Sequence, residues 1–514
     1  MYYRTLSTLS LGAAGVFLAA GALAAQDHSH EHTETETSEA QQDFSAQTHS
    51  PMWMTMLPGG WHLMGMAHIF PVASFSAPFS SDSPLQRTDL DFPHSGAMVN
   101  VESPASRVVF RLMPNFEGLT LPDGEPTFGG WGEGFIDARH PHTLLHEAML
   151  SFNWWEAPGG AFSISAGRGF APYGTDDPMY RPALKYPTNH HLSQILERWT
   201  LNATYISDGG WGVEAGIFDG DEPEDPWDVG NYRNFGNSWS ARLSRRLGGQ
   251  GTAAPWELSA SFGQVRETHD GHRDERTTLY NAAVRHDASY DFGGVYGLLE
   301  ASRSDPEEGE GYFSLLAEAQ LGLGSDGARQ PYYRVEHATR PEYPRQAQDG
   351  EDFFRYDHGV HAAGATRWTI QTLGYSHTST ELPLSARPFV EVSHNRITHE
   401  RGPDTTTPDH LFGGGRFWSF AAGVRLYLGG GPMRMGTYGT LDPMTAGMRE
   451  GMPPSHDQHV EPEHDHLEAG RAPSLPVARE QSLPNGGSKA MPHPDPACIF
   501  QDPAGPDRTR PSSP

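Results

Sequence analysis

One cysteine in 514 residues, Cys498, excludes any intramolecular disulfide and any cysteine-ligated cluster. Positive charge is also scarce: 36 Lys and Arg stand against 64 Asp and Glu, a formal net charge of -28. Nucleic acid needs a basic face, so it is excluded as a partner. Beyond residue 25 no run approaches the roughly 20 consecutive apolar residues a spanning helix requires. Hydrophobic residues make up only 36% of the chain, too few for a bundle of membrane helices. What the chain does have is glycine (58), proline (42) and short segments in which apolar and polar residues alternate with period two. Trp199-Thr200-Leu201-Asn202-Ala203-Thr204-Tyr205 and Trp256-Glu257-Leu258-Ser259-Ala260-Ser261-Phe262 are two, and Trp418 to Leu428 is a third. A strand sends alternate side chains to opposite faces, so each segment has one greasy and one wet face. Recurrence of such strands over several hundred residues, with aromatics at their ends, predicts an all-β fold, an antiparallel transmembrane β-barrel.

The division expected along the chain is fourfold. Residues 1–24 read as a signal peptide, with Arg4 as the positive region, Leu9 to Leu23 as the apolar run and Ala22-Leu23-Ala24 as the cleavage signal. That places the mature chain outside the inner membrane, in the outer membrane of a Gram-negative bacterium. Residues 25–60 are polar and His/acidic, residues 61–429 carry the barrel, and residues 430–514 form a Pro/Gly/His/Met-rich tail. The two flanks are expected to be disordered. The expected strands are Trp61–Phe70, Arg107–Met113, Leu144–Trp154, Ala161–Arg168, Arg198–Ile206, Trp211–Phe218, Ser238–Arg246 and Trp256–Val265. They continue with Thr278–His286, Gly293–Ser302, Tyr312–Leu323, Tyr332–His337, His358–Thr366, Trp368–Tyr375, Phe389–His394 and Arg416–Leu428. The count is roughly 16, in a window of about 14 to 18, and even for a bacterial single-chain barrel. The Asp221 to Pro226 and Ser304 to Gly309 stretches are turn chemistry between strands.

Period-two alternation puts Arg242, Arg425, Glu214, Glu257 and Glu318 on the inward, lumen-lining face, with both signs of charge facing a water column. Histidines supply the metal candidates. His140 and His142 flank Pro141, and His190 and His191 are adjacent. Neutral imidazoles suit copper, zinc or nickel. Two such pairs brought together would make a four-nitrogen site. No C-x-x-C or H-E-x-x-H spacing accompanies them.

The block from Arg139 to Arg198 resembles poorly characterised, porin-like outer-membrane barrel proteins of Gram-negative bacteria. The pieces that carry this are His140-Pro141-His142, Gly167 to Gly174, Met179-Tyr180-Arg181-Pro182 and Asn189-His190-His191, together with the acidic segment Phe218 to Asp225. The resemblance implies the fold and the location and leaves the transported species open. A looser, architectural likeness is to outer-membrane copper-resistance proteins. It rests on His28, His30 and His32, on Met52, Met54 and Met56, and on the tail's Met433, Met435, Met444, Met448, Met452, His456, His459, His464 and His466. Thioether sulfur suits Cu(I) and imidazole Cu(II).

The function expected is therefore a porin-like channel passing small solutes or ions. The alternative is a metal-handling protein that binds copper or another divalent metal through its His/Met tracts. A remote third is a lipid hydrolase using the cluster Tyr375-Ser376-His377-Thr378-Ser379, which lacks a nucleophile motif, so no enzyme is expected; the one cofactor candidate is copper or another divalent metal. Lipid, lipopolysaccharide, small solutes or metal ions, and further copies of the chain are the partners such a barrel would meet.

Overall fold

The structure, a computed structural model, describes residues 53–445 apart from interruptions, the longest at 118–142 and 343–361. The signal segment and His28, His30 and His32 lie outside the described residues. Among the described residues nineteen strands pair into one closed antiparallel sheet. Short β1 (Trp53–Leu57) precedes two bent staves. The first joins β2 (Trp61–Ile69) to β3 (Val72–Pro78), and the second joins β4 (Thr88–Asp91) to β5 (Gly96–Glu102). Fourteen unbroken staves follow: β6 (Val108–Pro114), β7 (Leu145–Ala157), β8 (Gly160–Gly169), β9 (Arg198–Ser207), β10 (Trp211–Phe218), β11 (Ser238–Leu247), β12 (Trp256–Glu267), β13 (Glu275–Tyr290), β14 (Gly293–Pro306), β15 (Tyr312–Leu323), β16 (Arg329–Glu342), β17 (Gly364–His377), β18 (Ser385–Arg401) and β19 (Arg416–Leu428). Sixteen staves result, each hydrogen-bonded to its sequence neighbour, and the ring closes where β19 meets the first.

The closure explains the first bend. Phe417 to Gly423 of β19 pair with β3, and Leu426 to Leu428 pair with β2. Between them Pro71 has no N–H to give, so the stave breaks there, while its carbonyl still accepts from Val424 N at 3.1 Å. Beyond Leu428 the place beside β2 is taken by β1, which pairs along Trp61 to Gly65, and Trp53 N donates to the Gly429 carbonyl at 3.2 Å. Thus residues placed before the barrel by their sequence belong to it.

The expected count of 16 is met, although not by the expected set. The stave at 88–102 was missed. Of the segment expected at 358–366, residues 358–361 lie outside the described residues and the last three belong to β17. The two differences cancel.

Side-chain burial is inverted relative to a water-soluble protein. On β10, Trp211, Val213, Ala215 and Ile217 are exposed while Gly212, Glu214, Gly216 and Phe218 are buried. Neighbouring β9 exposes Leu201 and Ala203 and buries Thr200, Asn202 and Thr204, and β11 exposes Trp239 and Leu243 and buries Ser238, Ser240 and Arg242. Leu373 and Val390 are more than half exposed, at 57% and 55%, whereas Arg334 and Glu342 are at 0%. Outward aromatics pack across strands, as in Trp239–Phe262 at 5.1 Å and Phe262–Tyr280 at 5.3 Å. A continuous apolar exterior of this extent would drive aggregation in water, and hydrocarbon satisfies it. A closed sheet also leaves no unpaired edge for lipid to meet.

The connections sort by rim. At one rim they are short: 103–107, 158–159, 208–210, 248–255, 291–292, 324–328 and 378–384. At the other they include 115–144, 170–197, 219–237, 343–363 and 402–415. Both Trp53 and Gly429 stand at the short-turn rim.

Candidate functional site

The inner wall is built from cross-strand charge pairs that the register itself creates. Glu214 lies opposite Arg242, and the guanidinium donates to both carboxylate oxygens, at 2.6 and 2.8 Å. Glu318 lies opposite Arg334, whose Nε donates at 2.8 Å. Arg246 lies opposite Glu257 at 3.3 Å. Directly opposed, oppositely charged residues support each other across a sheet, and here burial strengthens the attraction. Arg425 has a like-charged partner opposite, Arg387, and turns its amino groups elsewhere.

The lumen is not a bare water column: two stretches of chain occupy it. The first is the connection 170–197, which leaves the end of β8, crosses the interior and returns to β9. Tyr180 donates to Asp287 of β13 at 2.9 Å, and Arg181 reaches Glu300 of β14 at 3.2 Å. Arg334 of β16 donates to the Ala183 carbonyl at 3.1 Å. Arg425 of β19 donates to the carbonyls of Arg181 and Pro182, at 3.0 and 2.6 Å. Thr188 N donates to Glu336 at 2.7 Å. Within the connection α1 (His190–Ser193) makes a single turn. Gly174 takes φ +71, and any Cβ there would overlap the Ser193 carbonyl, so glycine is required.

The second is residues 434–445, which lie within the tail expected to be disordered from 430 onward. Arg434 forks onto Glu257 at 2.7 and 3.1 Å, and Asp442 pairs with Arg111 of β6 at 2.5 Å. Between these, Arg242 donates to the Gly436 carbonyl at 2.7 Å and Phe170 N donates to the Tyr438 hydroxyl at 3.0 Å. Burial, then the neighbouring Glu147 carboxylate, pushes the Tyr438 phenol well above its usual range, so it stays neutral. Methionines of the wall (Met64, Met98, Met113, Met149) join Phe170, Met179 and Leu196 of the first stretch and Met435, Tyr438 and Met444 of the second in one apolar cluster. Flexible thioethers suit such an irregular seam. Where the two stretches meet, a cavity of about 20 Å³ remains, lined by Thr175, Glu214, Arg242, Arg434 and Thr437, room for a single water.

Of the lumen candidates, Arg242, Glu214, Glu318 and Arg425 are buried, and Glu257 is half-buried near the short-turn rim. Of the metal candidates, His140 and His142 lie outside the described residues, as does the side chain of His191. His190 is buried on α1. Among the described residues no group of three His, Cys, Asp or Glu is placed to hold a metal. His146 instead bonds Glu197 at 2.7 Å, and Met435 and Met444 are packed in the interior. The hydrolase cluster is not assembled: Ser376 faces inward, bonded to Gln330 and Arg387, while His377 is on the outer face. The residues missed by sequence are Arg111, Arg181, Arg334 and Asp442. A signal existed for Arg181, because the 170–197 connection carries Phe170, Tyr173, Met179, Tyr180, Leu192, Ile195 and Leu196, too apolar for a solvated loop.

No family model and no curated protein matches the chain. In fold it is similar to solved outer-membrane channels. The anion-selective porin from Comamonas acidovorans aligns at 11% identity over 72% of this chain and 100% of its own, with TM-score 0.43. OmpF of Salmonella typhi, solved in complex with daunomycin, aligns at 10% identity over 73% and 100%, also at 0.43. The outer-membrane channel DcaP of Acinetobacter baumannii aligns at 9% identity over 73% and 99%, again at 0.43.

Proposed function

We propose that this chain is an outer-membrane channel for the passive passage of small solutes or ions, with its short-turn rim toward the periplasm and its long connections outside. The observation that supports it best is the inverted wall. Apolar side chains predominate on the exterior of staves such as β9, β10 and β11, while paired charges of both signs, Glu214–Arg242, Glu318–Arg334 and Glu257–Arg246, line the interior. A structural barrel gains nothing from charges that could be replaced by well-packed apolar groups at little cost in stability. A conduit needs them, because mobile ions and polar solutes require a polar surface to shed their hydration against.

The inserted stretches fit the same purpose. They are held to the wall mainly by side chains, so the lumen can be narrowed without altering the cylinder. Purified protein inserted into planar lipid bilayers should pass current in discrete steps. A protein that is folded, by its heat-sensitive migration in gels, yet silent at every voltage would refute the proposal.

A further inference from the structure

Residues 434–445 sit in the lumen as a bound peptide would. Their main chain pairs with no described strand. They are held instead by an ion pair at either end, Arg434–Glu257 and Asp442–Arg111. Between the ends lie bonds to Arg242 and Phe170 and the close approach of Thr440 Oγ1 to Ser163 Oγ at 3.4 Å. Asn100 Nδ2 donates to Met444 Sδ at 3.2 Å.

The wall they rest on has partners of its own. Arg242 keeps both oxygens of Glu214, Glu257 keeps Arg246, and Arg111 keeps Asn100 at 3.1 Å with Glu147 at 3.8 Å. Lifting the segment away therefore leaves no wall charge stranded, which distinguishes it from connection 170–197. That connection is anchored at both ends by strands and supplies Arg181 to Glu300 and Glu318. Segment 434–445 follows β19, which ends beside Gly429 (φ +77) on the short-turn rim. The contacts it makes reach Asn100 of β5, Arg111 of β6, Ser163 of β8, Arg242 of β11 and Glu257 of β12, so its departure would uncover these side chains.

We infer that residues 434–445 are a gate, a self-supplied ligand that closes the lumen from the periplasmic mouth and opens a charged passage along β5 to β12 when it withdraws. The inference rests on the channel function proposed above. Withdrawal exposes Arg111, Glu147, Glu214 and Arg242 to the passage, and any periplasmic partner that takes up the tail biases the equilibrium toward the open state.

The test is a reversible lock. Ser163→Cys and Thr440→Cys in a chain with Cys498→Ser put two thiols where the hydroxyls are 3.4 Å apart, within reach of a disulfide. One purified protein is then measured oxidised and after reduction in planar bilayers, so folding is identical in the two arms. Oxidised protein should stay closed, and reduction should raise the time-averaged current about tenfold or more, the response of a two-state element released from a lock. Arg434→Ser with Asp442→Asn, without the lock, should reproduce the reduced behaviour. Equal currents before and after reduction overturn the gate and leave the channel standing. If folded protein is silent in every form, the channel is refuted, and the gate is then judged by chemistry. Thr440→Cys alone, in the Cys498→Ser background, should react with a bulky thiol reagent added on the short-turn side. If it stays unmodified, the segment does not leave and the gate falls as well.

Discussion

Arg242 is the residue whose replacement tests the packed lumen most directly. Its guanidinium joins β10, β11 and both inserted stretches: it holds Glu214 at 2.6 and 2.8 Å, the Gly436 carbonyl at 2.7 Å and the Gly174 carbonyl at 3.3 Å. Methionine keeps most of its length and removes the charge. In Arg242→Met the Glu214 carboxylate is left buried and unpaired, at a cost of about 3–5 kcal/mol. Adding Glu214→Gln removes that stranded charge, and the loss should fall to about 1–3 kcal/mol, the value of the two bonds to main-chain carbonyls. Urea unfolding of protein folded in lipid vesicles, followed by the fluorescence of its 12 tryptophans, reports both numbers. At a slope of about 3 kcal/mol per molar urea, the single variant should unfold about 1 to 1.7 M earlier than the parent, with the double variant between them. If the single variant is indistinguishable from the parent, water already solvates Glu214 and the interior is open at this level. If the double variant is no more stable than the single, the cost comes from the loss of packing and not from the carboxylate.

Three further outcomes follow from the same geometry. Leu243→Arg places a charge on the lipid face of β11, where it should cost about 2–4 kcal/mol in vesicles and lower folding yield, while Ser244→Arg, one residue away, should be milder. Gly174→Ala forces a side chain against the Ser193 carbonyl at positive φ, so it should loosen connection 170–197, lower the unfolding midpoint and increase single-step conductance. Conductance at or below the parent's would contradict that assignment. Arg181→Met removes a fully buried guanidinium that reaches both Glu300 and Glu318, so it should destabilise more than Arg434→Ser, whose partner Glu257 retains Arg246. The order of their unfolding midpoints checks it.

The barrel was legible because alternation survives any register. Trp211 to Phe218 and Arg198 to Ser207 announce two faces without reference to a neighbour. The bent staves were less legible. At β2 and β3 the pattern is interrupted by Phe70-Pro71, and β4 and β5 are separate short pieces, so neither pair reads as one strand. The charges on the inner face could be named from parity alone, but their pairing could not. That Glu318 meets Arg334, and Arg425 meets Arg387, depends on strand offsets that hairpin lengths set and sequence patterns do not print. Residues 434–445 were hidden for a different reason. Their composition is that of a solvated linker, and their order comes from side chains more than 170 residues earlier, Arg111, Ser163, Arg242 and Glu257. Of the histidine candidates, His190 lies on a buried helical turn inside the connection, while His140, His142 and the side chain of His191 lie outside the described residues.

The collinear arrangement of β1 and β19 has a kinetic consequence. Trp53 and Gly429, 376 residues apart, share one seam, so the ring cannot shut until the chain has been made at least as far as Gly429. Until then Leu373, Val390 and their outward neighbours travel without a bilayer, and the nascent chain depends on an escort that shields them. Substitutions at this seam, at Trp53 or Gly429, should therefore slow maturation more than they weaken the finished cylinder.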